Sequence, residues 1–186
     1  QKPSGAVVGS VFPEVADAVR LALSSPSLLV YSTDDVIGVE VASAIVGLLA
    51  LGIGYAQTLD LGPSVLGVIG TRGMVEAARV GRALGGQEQT FGGLAGVGDL
   101  IAAVAGDSRP ELRLGQALGR SRPLEAAVRD AGAHVEAVSL AQRVAAFCDR
   151  KALDAPILRT LADAITGALA PGDAVARLMS RRIDSA

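Results

Sequence analysis

From residue 36 to residue 56 the chain reads VIGVEVASAIVGLLALGIGYA, a stretch with one charge, Glu40. From Val41 onward it has none. A helix apolar on every side is either a membrane span or the centre of a helical domain, wrapped by other helices. The flanks favour the second reading. Asp34, Asp35 and Asp60 stand at the ends, and no Lys or Arg is nearby to anchor the segment among lipid headgroups. Gly38, Gly47, Gly52 and Gly54 suit close helix packing in either setting. The expectation is a central helix over about 35–58, opened by an N-cap oxygen from Thr33, Asp34 or Asp35, with no membrane partner. If it is covered on all sides, Ala44→Arg should bury an unpaired charge and unfold the domain.

Upstream of this helix the pattern changes. Gly5-Ala6-Val7-Val8-Gly9 and Leu28-Leu29-Val30-Tyr31-Ser32-Thr33 read as strands. Between them Pro13 starts a helix that sets Val15, Val19 and Leu23 on one face, and Ser24-Ser25-Pro26-Ser27 breaks it. Two strands cannot bury both faces alone, so this β-α-β piece reads as the edge of a larger sheet. Downstream there are only helices, expected at about 63–84, 94–104, 110–118, 123–131, 136–152, 156–168 and 173–179. Pro63, Pro110, Pro123 and Pro156 sit at their starts, where a missing N–H does no harm, and Gly85-Gly86 closes the first of them. The fold class is therefore mainly α: a β-α-β remnant over 1–34, then an all-helical domain over 35–186.

Composition narrows the function. Half of the 186 residues are hydrophobic and 19% are charged, which excludes a disordered chain. The net charge of -2 and the 3% of aromatic residues give no electrostatic drive or stacking platform for nucleic acid. Cys148 and His134 are the only residues of their kinds, which rules out a disulfide framework and a Cys/His zinc site. Each reads by default as structural, a buried small thiol and a helix-start histidine. The basic residues are fifteen Arg and two Lys, Lys2 and Lys151. The chain opens on Gln1 without a basic region and apolar run, so no secretory signal is visible, and a cytoplasmic location is expected.

Several motifs together resemble one family. They are Ser24-Ser25-Pro26 followed by Val30 to Glu40, Thr71-Arg72-Gly73-Met74-Val75-Glu76, and above all Thr90-Phe91-Gly92-Gly93-Leu94-Ala95-Gly96-Val97-Gly98-Asp99-Leu100. Val135-Glu136 and the helix at Pro156-Ile157 follow in the same order. The chain is similar throughout to the NAD(P)-dependent glycerol-3-phosphate dehydrogenases. The resemblance implies an all-helical substrate domain behind the last part of a Rossmann domain, a small phosphorylated three-carbon substrate, and NAD or NADP as cofactor. It also leaves room for a homodimer through the helical domain. No G-x-G-x-x-G stands between a strand and a helix in this chain, so it is not expected to bind either cofactor alone.

In that family a lysine on the first long helix exchanges the proton at the C2 oxygen as hydride moves to or from C2. In the ungapped register its position is Val46, followed by Gly47, and valine can neither transfer a proton nor donate a hydrogen bond. The resemblance makes Asp99 a substrate-hydroxyl ligand, deprived here of its lysine counter-charge; read locally, it is the cap of a short helix starting near Leu100. The family's Ser-Arg-Asn turn falls on Arg109, Pro110 and Glu111, or, shifted by one, on Ser108-Arg109-Pro110. Arg109 is then either a phosphate or cofactor ligand or a solvated loop arginine, with Glu111 adding a negative charge to the same turn. Glu136 is either near the cofactor or a helix-start acid favoured by the dipole. Ala103 replaces a common threonine. The leading expectation is the substrate-binding domain of an NAD(P)-dependent glycerol-3-phosphate dehydrogenase, inactive as it stands. The alternative is a non-catalytic relative that keeps the fold for binding or dimerisation, and a membrane-associated helical protein is a third reading.

Overall fold

A computed structural model describes residues 2–106, 109–132 and 136–180. Strands β1 (Ser4–Gly9) and β2 (Leu28–Thr33) pair in parallel, with Ser4 opposite Leu28 and Gly9 opposite Thr33. Helix α1 (Pro13–Leu23) makes the crossover, with its proline in the first turn. Only one side of this small sheet is well covered: Val30 is buried, while Leu29 and Tyr31 are exposed. That is the expected behaviour of a parallel pair without further strands.

Helix α2 (Val36–Gln57) is the hub. Its start is fixed by Asp35, whose Oδ1 accepts the Gly38 N–H at 2.9 Å. The other oxygen, Oδ2, accepts the Gln87 N–H at 3.0 Å and the Thr90 hydroxyl. Burial pushes this carboxyl up, but the Thr90, Gln87 and Gly38 donors outweigh it and hold the group below the usual carboxylate range. One side chain thus caps α2 and ties it to the segment that leads into the Thr90–Leu100 motif.

Around α2 lie α3 (Pro63–Leu84), α4 (Glu88–Gly92), α5 (Asp99–Ala105), α6 (Pro110–Gly119), α7 (Leu124–Ala131), α8 (Glu136–Arg150), α9 (Pro156–Ile165) and α10 (Pro171–Ser180). The left-handed Gly85, at φ 98°, ends α3 as expected. The helix expected over 94–104 is two elements. Leu94–Gly98 forms a π-turn, in which the Gly98 N–H reaches the Gly93 carbonyl at 3.0 Å, and α5 begins only at Asp99. Gly96 lies so close to the Phe91 carbonyl that no side chain fits there, which permits the wide turn.

Helix α2 is long and apolar enough to cross a bilayer, with a mean hydropathy of 2.3 over its most apolar window, yet 61% of that window is buried inside the molecule. The burial is not uniform. Leu48, Leu49, Ala50 and Leu51 are enclosed, whereas Ser43 and Ala44 are exposed. The expectation that Ala44→Arg would unfold the domain is therefore wrong. Apolar composition limits which sides a helix can bury, but neighbours decide which sides are covered.

The tightest contact on α2 is with α6. A Cβ on Gly54 would strike the carbonyl oxygen of Leu112, and a Cβ on Gly115 would strike that of Leu51. The two backbones touch at glycine on both sides, as in other small-residue crossings. Gly115→Ala is expected to cost about 3 kcal/mol, because backbone cannot yield as a side chain does. Gly67→Ala, in mid-α3 with open space around it, is expected to gain about 0.5–1 kcal/mol. Urea denaturation of the two variants checks both signs.

Glu76 on α3 holds α9 in place. It is 2% exposed, and its two oxygens accept the N–H groups of Ile157 and Leu158, each at 2.9 Å. These are first-turn donors of α9 that no helix bond would satisfy. Burial pushes the Glu76 carboxyl up to about 7, against the pull of the two N–H groups and of Arg72, with Asp154 adding a further push upward. A group whose folded pKa lies above its unfolded one stabilises fully below the unfolded value and loses that contribution as pH rises through the folded one. Thermal unfolding is therefore expected to occur at lower temperature at pH 8 than at pH 5, a difference of about 3 kcal/mol at most. Glu76→Gln, though less stable overall, should lose this pH dependence.

Candidate functional site

The π-turn delivers Asp99 as the first residue of α5, with Gly98 at the N-cap, and the hydrogen bonds of its carboxylate run to Arg109. The expected capping role is thus not what this side chain does. Its two oxygens instead accept a fork from Arg109: Nη1 to Oδ1 at 3.1 Å and Nη2 to Oδ2 at 3.3 Å. Arg109 is extended, as a residue before proline must be, with φ -70° and ψ 121°, and Pro110 then starts α6. The third guanidinium nitrogen, Nε, lies 3.3 Å from Oε2 of Glu111 in the first turn of α6. Glu111 in turn packs over α2 at Gly47, where an added Cβ would sit 3.6 Å from the Glu111 Cγ.

These three side chains are mostly shielded, with exposures of 30% for Asp99, 29% for Arg109 and 20% for Glu111. Asp99 therefore does not lack a counter-charge: Arg109 supplies it. Nor is Arg109 a solvated loop arginine. Two carboxylates around one guanidinium leave the cluster one negative charge in excess. Oε2 of Glu111 is buried and makes no hydrogen bond, so its pairing with Arg109 is through charge alone.

Val46 is wholly buried in the hydrophobic core, on the same turn of α2 as Gly47. Neither lysine approaches this helix in sequence, since Lys2 precedes β1 and Lys151 follows α8. Ala103 is buried in α5. Glu136 opens α8, but its side chain lies outside the described residues, as do Ser108 and His134. Cys148 is fully buried, and among the described residues no cluster of three His, Cys, Asp or Glu could hold a metal ion.

A groove of about 600 Å³ opens where β2 ends, between Tyr31–Thr33 and the turn around Gly93, Leu94, Val97 and Gly98. The crevice beyond the carboxyl ends of parallel strands is the usual ligand position in an α/β sheet. This one is lined by apolar residues, glycines and hydroxyls, with no Lys or Arg.

Residues 35–176 match the model of the family described as NAD-dependent glycerol-3-phosphate dehydrogenase C-terminus. The chain belongs to this family. A glycerol-3-phosphate dehydrogenase of the NAD(P)+ type from Symbiobacterium thermophilum is 37% identical over 179 residues, which are 96% of this chain and 52% of that protein. One from Cupriavidus pinatubonensis is 38% identical over 175 residues, 94% of this chain and 50% of its own length. The crystal structure of glycerol-3-phosphate dehydrogenase from Coxiella burnetii superposes with a TM-score of 0.90 at 28% identity, covering 97% of this chain and 55% of that one. The chain thus spans about half the length of the relatives it matches.

Sequence reading singled out Asp99 and Arg109 but not their pairing, and it treated Glu111 only as an opposing charge. The Asp99–Arg109 pair is forked and part-buried, which sets it above an ordinary surface ion pair. A double-mutant cycle with Asp99→Ala and Arg109→Ala is expected to give a coupling of about 1 kcal/mol in urea denaturation.

Proposed function

We propose that the chain is the substrate-domain half of a glycerol-3-phosphate dehydrogenase scaffold, in which the means of proton transfer has been lost. Residues 1–34 are read as the end of the dinucleotide-binding α/β domain and 35–186 as the helical domain. The family's reaction passes a hydride between a nicotinamide and C2 of a phosphorylated three-carbon substrate, so the C2 oxygen must exchange a proton in the same event. The observation that carries the reading is Val46, a fully buried valine on α2, which in the ungapped register falls at the family's lysine. The cation nearest in role is Arg109, already forked onto Asp99. A guanidinium holds its proton at neutral pH and does not act as a proton donor there.

The link from β1 to α1 does not fit a dinucleotide pyrophosphate. A pyrophosphate cradle needs glycines and free N–H groups at a helix start. Here the link from β1 to α1 is Ser10-Val11-Phe12-Pro13: the proline gives no N–H, and Val11 and Phe12 are exposed apolar side chains. No step is therefore assigned to NAD or NADP on this chain. The reading leaves the scaffold as a helical binding module, placed in the cytoplasm by analogy with its relatives.

The intact protein is expected to show no measurable reduction of dihydroxyacetone phosphate with NADH or NADPH, since loss of a positioned general acid alone costs about 10²–10⁴-fold. A spectrophotometric assay at substrate saturation checks this. Turnover at rates ordinary for such enzymes, on the order of 10 per second, would overturn the reading and place the proton donor outside these residues.

A further inference from the structure

We propose that Glu111 determines which charge this site accepts: its carboxylate is a built-in anion that, with Asp99, keeps Arg109 from phosphate monoesters. The inference rests on reading the Asp99–Arg109 turn as the substrate region, and it concerns ligand choice rather than proton transfer.

Three observations support it. First, every nitrogen of the Arg109 guanidinium is engaged by a carboxylate: Nη1 and Nη2 by Asp99, and Nε by Glu111. Second, Glu111 occupies the first turn of α6, a helix of ten residues, where the dipole and unpaired N–H groups favour an anion. An arginine beside a helix start is a good phosphate receptor, and here the arginine is turned onto the chain's own acids. Third, the occupant is held loosely in one respect and firmly in another. Oε2 of Glu111 is buried without a hydrogen bond, while the carbon chain is seated against Gly47. Charge and packing keep the carboxylate there, not a saturated set of donors. A phosphate dianion approaching the cluster would meet a net negative charge and find no unpaired cation. Neutralising Glu111 makes the cluster neutral and frees Nε from its carboxylate.

The test uses the full chain and inorganic phosphate as probe, with glycerol 3-phosphate as a second arm, by isothermal titration calorimetry. The wild type is expected to show no saturable phosphate binding at millimolar concentration. Glu111→Gln, which keeps the shape and removes the charge, is expected to bind phosphate at least about tenfold more tightly. The double variant Glu111→Gln, Arg109→Ala is expected to lose that gain. Far-UV circular dichroism verifies folding. If Glu111→Gln does not fold, Asp99→Asn, which frees the fork instead, carries the same expectation. Equal phosphate affinity in wild type and variant, or a gain that survives removal of Arg109, overturns the proposal. Either result leaves the non-catalytic reading standing, whereas dehydrogenase turnover by the wild type would overturn that reading and not this one.

Discussion

The contact of α2 with α6 is a backbone contact, and the site follows from it. Gly54 admits the Leu112 carbonyl and Gly115 admits the Leu51 carbonyl. Side chains at either position would hold the helices apart by the width of a methyl group or more. With the helices in touch, the first turn of α6 is carried onto α2 one turn upstream, and Glu111 arrives over Gly47. Pro110 fixes where α6 begins, so Arg109 is left extended at its mouth and within reach of Asp99. The position of three charged side chains is thus decided by two residues without any.

Under the proposed function, this meeting point is where the chain departs chemically from its family. A lysine on α2 would supply a cation and a transferable proton from the same atom. Val46 supplies neither, and Arg109 restores only the charge. The guanidinium balances Asp99, which keeps a mostly shielded carboxylate tolerable in the fold. With Asp99 the pair is neutral, and Glu111 adds one negative charge to it. Balancing the charge of Asp99 and transferring a proton at a substrate are separable demands, and Arg109 answers to the first.

Much of this was legible in the sequence. The strands at Leu28–Thr33 and near Gly5, the cap at Asp35, the stop at Gly85 and the proline-led helices depend on neighbours in the chain, and they appeared where local chemistry put them. The glycine-rich Thr90–Leu100 run pointed to Asp99 as a residue of interest. What was not legible depends on the angle between elements. The fork between Asp99 and Arg109 joins α5 to the start of α6, and no periodicity encodes that angle. Glu76 stood in the sequence only as the end of the Thr71–Glu76 motif, and the two N–H groups it accepts come from α9. Ala44 looked interior because its neighbours in sequence are apolar, and it is exposed because no element covers that side. The π-turn arises from a close approach to the Phe91 carbonyl, which spacing alone does not reveal.

The central claim is that Arg109 is held by two carboxylates of its own chain. Nitrogen-15 NMR of the arginine side chains tests it most directly, because rotation about the guanidinium bonds is slowed when both ends are engaged. The account predicts that the Nε–H of Arg109 exchanges slowly with water and that its two Nη groups give separate resonances at room temperature. A single averaged Nη resonance for Arg109, with Nε–H exchange as fast as that of a fully solvated arginine, would contradict it.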